Sequence, residues 1–290
     1  MRLLLAFLTF ASFAAEPRVR KFKLDISVSV DKMPTLTDQM DFWMPLPYSD
    51  SYQSVSKGNL EAPYIYKIEK DQFGNQMLHM RVMKPLQTSF LLDLQLVIKR
   101  KEHVSGSGST AEADLNLRHW LQPDRQIPLD EKTRALAAAV VVGAITDVDK
   151  ARAIFNHVVD TFNVDKNDLA KFIAYARALG IPARPSFGLR LPEHRGEGKI
   201  ASFDSWAEFY SKGTGWIPVD PSKAAQDSSK RDYYFGAQDE NRIELTQGQD
   251  LILTPKQQGE PLINFVYPYV EVDGKPFASV KTTYRYQDVK

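Results

Sequence analysis

Polar and apolar positions alternate through the first hundred residues. Phe22, Leu24, Ile26, Val28 and Val30 occupy every second place, and Met40, Phe42, Met44 and Leu46 repeat the pattern. Leu78, Met80 and Val82 follow an Asp71-Gln72-Phe73-Gly74-Asn75 turn, and Phe90, Leu92, Leu94, Leu96 and Ile98 make the longest such face. A period of two marks a strand with one buried face, and several such runs separated by turns predict a β-sandwich of about one hundred residues. The basic end of the last run, Lys99-Arg100-Lys101, reads as a solvated strand terminus.

The period then changes. Residues 104–113 are rich in Ser, Gly, Thr and Ala and read as a flexible connection. The stretch from Trp120 to Asp130 is expected to be extended, because Pro123 and Pro128 restrict the backbone. A helix is expected from Glu131 to near Gly143. A second starts at Thr146-Asp147, with Ala151, Ile154, Phe155, Val158 and Phe162 at helical spacing. A third starts between Asp165 and Asp168 with Asn167 or Asp168 as its cap. It buries Leu169, Phe172, Ile173, Ala176 and Leu179 and is stopped by Gly180 and Pro182. Strands are predicted near 184–190, 202–210, 215–219, 243–253 and 263–272, and Asp273-Gly274 marks a hairpin into 277–287.

Composition narrows the class. The 290 residues are 43% hydrophobic and 25% charged, with a formal charge of +1 and no cysteine. Near neutrality removes any electrostatic case for nucleic acid or an anionic membrane surface. The first fifteen residues carry only Arg2 as a charge and join a short apolar run to small residues ending in Ala14-Ala15. That pattern predicts a signal peptide and an exported, periplasmic or extracellular protein; the run is too short to span a bilayer. A chain of this length folds in an oxidising space without disulfides, because its core is large enough.

Candidate chemistry lies in one stretch. It begins Arg177-Ala178-Leu179-Gly180-Ile181-Pro182-Ala183-Arg184, continues through Asp204-Ser205-Trp206-Ala207-Glu208-Phe209-Tyr210, and closes on Gly215-Trp216-Ile217-Pro218-Val219-Asp220-Pro221. The frame resembles the core of the transglutaminase-like superfamily, and the likeness extends to residues 230–236, Asn241-Arg242 and residues 265–274. The resemblance implies an α+β fold: a papain-like core of helices on an antiparallel sheet, preceded by the sandwich. It also implies a Cys-His-Asp triad for acyl transfer, in which a thiolate attacks, an imidazole moves the proton and a carboxylate orients the imidazole.

The reactive positions differ from that pattern. Asp204 stands two residues before Trp206, in the place of the histidine, and Asp220 stands in the place of the third member. Counted back from Arg177 without a gap, the cysteine position falls near Asp165. Alternatively the nucleophile loop is deleted, since residues 158–166 run directly into Asn167-Asp168-Leu169.

The expected division is a signal peptide at 1–15, a β-sandwich at 18–103, a connection at 104–114, the core at 115–235, and C-terminal strands at 236–290 that complete the core or bridge to the sandwich. The expected function is that of a pseudoenzyme of the cell envelope. It would bind a peptide, a protein segment or a peptidoglycan stem peptide in a vestigial groove that includes Trp206, Trp216, Ser205 and His194, with no cofactor, no metal and no catalytic residue. Two alternatives stay open. One is a hydrolase that uses Asp165, Asp204 and Asp220 as an acidic or metal-holding cluster. The other is a purely structural envelope protein. Arg184 and Glu208 are expected to pair across neighbouring strands.

Overall fold

The computed structural model describes residues 16–106, 117–163 and 167–289. The expected signal peptide, most of the expected connection and Asp165 lie outside the described residues.

Two five-stranded antiparallel sheets face each other. One runs in the order β3 (Gln53–Glu61), β6 (Phe90–Lys101), β1 (Val19–Val30), β16 (Val280–Asp288), β9 (Glu197–Ile200). The other runs β15 (Lys275–Pro276), β14 (Tyr269–Val272), β2 (Gln39–Leu46), β5 (Gln76–Met83), β4 (Lys67–Lys70). The alternating side chains supply the filling. Leu24, Ile26 and Val28 of β1 and Leu92 and Ile98 of β6 are buried in one cluster with Phe42 of β2 and Leu78 of β5. Each such side chain contributes about 1.5–3 kcal/mol by leaving water.

The second unit is a four-stranded sheet, ordered β11 (Gly215–Val219), β10 (Ser202–Ser211), β8 (Ala183–Arg190), β13 (Arg242–Gln247). Three helices cover part of it: α1 (Glu131–Val140), α2 (Asp147–Asp160) and α3 (Asp168–Ala178). Their starts are set by side chains that accept orphan amide N–H groups: Asp130 from Thr133, Thr146 from Asp149 in a capping box, and Asn167 from Ala170. Gly180, at φ +79°, ends the third helix as its position predicts. The Arg177 guanidinium locks this corner, donating from Nε to the Ala183 carbonyl at 2.8 Å and from Nη1 to the Gln122 carbonyl at 2.6 Å.

One sheet closes both cores. Ala183, Ala207, Phe209 and Ile217 pack with Phe155, Phe172 and Ile173 of the helices. Phe187, Leu189, Ile243 and Leu245, further along the same sheet, belong to the sandwich cluster.

The C-terminal strands serve both units. β13 pairs with β8 in the core sheet, whereas β14 pairs with β2 and β16 with β1 in the sandwich. The strand expected over 243–253 stops at Gln247, and the one expected over 263–272 spans only Tyr269–Val272. Between them Leu251, Leu253 and Phe265 turn inward to pack on Trp43 and Met77, and Pro255 and Pro261 offer no N–H to a ladder. Asp273 and Gly274 make the expected tight turn, with φ of +50° and +73°. The polar stretch before Ser202 is partly a strand, since β9 pairs with β16. Among the described residues no helix is long and apolar enough to cross a membrane.

Candidate functional site

Alternation along β10 places Asp204, Trp206 and Glu208 on one face. The register brings Gly188, Ser186 and Arg184 of β8 opposite them, in that order. β13 adds Arg242 opposite Arg190 and Glu244 opposite Gly188. The result is a charged face covered by protein: Trp206, Ser186 and Arg242 have no exposure, and Glu244, Asp220 and Glu208 at most 5%. Buried charges are tolerated only where they are paired, and here they fall into two groups on either side of Trp206.

The first group contains Asp204 and Asp220, the positions that the sequence resemblance matches to two members of a triad. Arg242 donates from Nη2 to Asp220 Oδ2 at 2.6 Å, and its Nε lies 3.4 Å from Asp204 Oδ2. Arg190 reaches Asp204 Oδ2 from Nη1 at 3.4 Å and Asp239 Oδ2 from Nη2 at 3.2 Å. The other oxygen of Asp220 accepts the Lys223 amide at 2.9 Å and so starts α4 (Pro221–Gln226). The Arg242 guanidinium stands 5.3 Å from the centroid of the Trp206 ring, a cation–π distance.

The charges act on one another in a consistent way. Burial works against the Arg242 cation, but Asp220, Asp204 and Asp239 outweigh it and hold the guanidinium above its ordinary value. Burial pushes Asp220 up, opposed by Arg242 and reinforced by the charge of Asp204. Burial also pushes on Asp239, but Arg242 and Arg190 overcome it and leave that carboxyl below the usual range.

A guanidinium cannot accept a proton at neutral pH, so it is no substitute for an imidazole base. The lone pairs of Asp220 that would orient an imidazole are engaged by Arg242 and by a backbone amide. A divalent cation drawing on Asp204 and Asp220 would have to displace a guanidinium already seated between them. Among the described residues no group of three or more His, Asp or Glu side chains is placed to hold a metal ion.

The other expected residues scatter. Ser205 points to the opposite face from Asp204, and its amide donates to Asp204 Oδ1 at 3.1 Å. His194 is exposed on its loop, with Nε2 3.5 Å from the Tyr286 hydroxyl. Trp206 is wholly buried and lines no groove; the guanidinium of Arg242 beside it and the strand it lies on leave it no free face. Trp216 is half-buried and does line a cavity. At the start of α3, where the resemblance places a nucleophile, the buried carboxylate of Asp168 accepts the Asn163 amide at 2.9 Å.

The second group was not foreseen except for one pair. Arg184 grips Glu208 Oε2 from Nε at 2.8 Å, as expected, and stacks 3.9 Å from the Trp216 ring centroid. Glu244 accepts from the Tyr48 hydroxyl at 3.0 Å and from Gln247 Nε2 at 2.8 Å. Arg100 and His103, from the end of β6 and from β7 (His103–Val104), enter the same region. Arg100 is 1% exposed, so the reading of residues 99–101 as a solvated terminus is corrected at its centre. The alternation of β6 simply continues one step past Ile98 and turns Arg100 inward. That parity was the available signal.

Three cavities open away from Asp204 and Asp220. One of about 280 Å3 adjoins this second group, an apolar one of about 310 Å3 lies between Leu46, Val55, Leu78 and Leu94 of the sandwich, and one of about 350 Å3 adjoins Tyr233, Tyr234 and Asp239. None of these is lined by Asp204, Trp206 or Asp220.

Gly188 lets β13 approach β8 closely. A Cβ there would lie 1.8 Å from the Ile243 carbonyl oxygen, a backbone atom that cannot swing aside. Gly188→Ala is therefore expected to destabilise the fold by about 1–3 kcal/mol by prising β13 from β8, read as a lower urea midpoint.

Comparison with known proteins agrees with this architecture. Residues 168–221 match the transglutaminase-like superfamily, a span from the start of α3 to the Asp220 corner. An uncharacterized protein of Haemophilus influenzae is 27% identical over 306 aligned positions, covering 83% of each chain. The crystal structure of a candidate cysteine protease from Cytophaga hutchinsonii superposes with a TM-score of 0.59 at 14% identity, over 94% of this chain and 92% of that one. At that identity the likeness is one of fold.

Proposed function

We propose that this protein, whose residues 168–221 carry a transglutaminase-like core, performs no acyl transfer and works as a binding or scaffold protein. The observation that carries the reading is the Arg242–Asp220 contact of 2.6 Å, with Asp204 on the other side of the same guanidinium. Together with a sequence that has no cysteine, it leaves neither a thiolate nor an imidazole where the fold would use them. The signal-like start would send the chain across a membrane. A peptide or protein segment, including a peptidoglycan stem peptide, is the ligand class that suits a relative of amide-processing enzymes.

The test is an assay of the purified protein against fluorogenic peptide amides and against a glutamine donor with an amine acceptor. Product formation should equal that of buffer alone. Turnover that is lost in Asp220→Asn would overturn the reading.

A further inference from the structure

The cavity beside the second charged group lies between the end of β6, the loop after β2 and the core sheet. Its volume is about 280 Å3, and its wall includes Arg100, His103, Glu244, Asp50, Tyr48 and Trp216. Volumes near 300 Å3 are at the small end of ligand sites. The exposed Ser51 and the half-buried Thr214 and Gly215 also border it, so it opens to solvent between two turns.

The donors in its wall are not used up. Arg100 donates from Nη2 to Gln238 Oε1 at 2.8 Å, while its Nε and Nη1 meet no acceptor although the side chain is buried. His103 Nε2 is also buried without a partner, and in the neutral ring, whose other nitrogen donates to the Trp216 backbone, it is an acceptor that an ammonium could use. An unpaired donor on a buried charged group is costly, so the site is poised for an acceptor, and a guanidinium favours a carboxylate.

The acids in the wall outnumber the bases. Asp50, Glu208 and Glu244 face Arg100 and Arg184, and Glu208 is already held by Arg184 at 2.8 Å. Asp50 spends Oδ1 on the Tyr52 and Gln53 amides, both at 2.6 Å. Among the described residues no ion pair ties a cation to Asp50 or Glu244; burial pushes both carboxyls up, reinforced at Asp50 by the charge of Glu244 and at Glu244 by that of Glu208, with Arg100 nearby opposing it at both. A positive group in the cavity would relieve this.

We propose that this cavity binds a small zwitterion, a free amino acid or a very short peptide, with its carboxylate on Arg100 and its ammonium between Asp50 and Glu244. Trp216, Tyr48 and Tyr52 form the aromatic walls; Tyr52 stacks on His103 at 3.7 Å. The proposal does not depend on the absence of catalysis, because the triad position and the cavity lie on opposite sides of Trp206.

Titration calorimetry of the full-length protein with L-alanine, L-lysine, L-glutamate and L-alanyl-L-alanine tests it. At least one should bind saturably at millimolar concentration or below, with acetate and methylammonium weaker by about tenfold or more. Tighter binding of the dipeptide than of L-alanine would identify the peptide as the source of the zwitterion, and the reverse order the free amino acid. Arg100→Gln and Asp50→Asn should each weaken binding by about tenfold. Asp50→Asn keeps the oxygen that accepts the two amides. Should Arg100→Gln fail to fold, Ser51→Trp at the exposed rim blocks the entrance without touching a charge and should abolish binding. Silence from all four ligands, or binding indifferent to both Asp50→Asn and Ser51→Trp, overturns the proposal. Loss of this binding would leave the amide assay unchanged, so the two readings fail separately.

Discussion

Arg242→Met is expected to lower the folding free energy by about 3–5 kcal/mol, the range for removing one partner of a buried ion pair. Arg242 has no exposure and serves Asp220 at 2.6 Å and Asp204 at 3.4 Å. Methionine fills much of the volume, so packing changes little and the loss comes from Asp220 left without its cation, while Asp204 keeps only Arg190 at 3.4 Å. The cheapest response is for Asp220 to take a proton, which stability pays for at neutral pH. Adding Asp220→Asn should therefore return part of the loss, because it removes the uncompensated charge. Urea denaturation of the two single variants and the double variant measures this coupling. A double variant as unstable as the sum of the two singles would show that the contact is not what holds the site.

Acid should destabilise the protein as pH falls below 6.5, and His103 is a cause. Burial, followed by the positive charges of Arg100 and Arg184, lowers its imidazole from 6.5 to about 3, while a hydrogen bond to the Trp216 backbone pulls the other way. Glu208 Oε1 lies 3.6 Å from His103 Nδ1, which would favour a cation. That distance exceeds a hydrogen bond, and Glu208 is committed to Arg184. His103 is thus neutral in the folded state and protonated in the unfolded state below 6.5. Stability from this group is complete above that value and is lost as pH falls from 6.5 toward 3, at a limiting slope of about 1.4 kcal/mol per unit. By about pH 4 the loss reaches roughly 3 kcal/mol. His103→Phe keeps the stack on Tyr52 and should remove the His103 share of the slope of urea midpoint against pH between about pH 5 and 6.5; the raised carboxyls of Asp50, Asp220 and Glu244 act with the opposite sign and are the same in both proteins. A variant with the slope of the unmodified protein would remove His103 as a cause.

The residues that build the two ends of the site were unequally visible. Asp204 and Asp220 were found because Trp206 and Trp216 fix the register of their strands in a familiar frame. Arg242 lay in plain view beside Asn241, but its role depends on which strand β13 joins. That strand returns from beyond α4 to pair with β8, a choice that local pattern does not encode. Arg100 could have been found. The alternation through Phe90, Leu92, Leu94, Leu96 and Ile98 points it inward, as the alternation of β1 does Arg20, which lies opposite Arg100 across the ladder. A charged residue at an inward position continues the pattern there and does not end it.

The sequence by itself determined the strands and helices, the Gly180–Pro182 corner and the absence of a thiol, because periodicity, capping residues and composition act over a few neighbouring positions. The tertiary structure alone decided which cations meet the buried carboxylates. Arg190 and Arg242 reach Asp204 and Asp220 from β8 and β13, and Arg100 and His103 enter the region of Glu208 and Glu244 from the sandwich side. Buried charges must find partners wherever the fold supplies them, and the partners lie far apart in the chain.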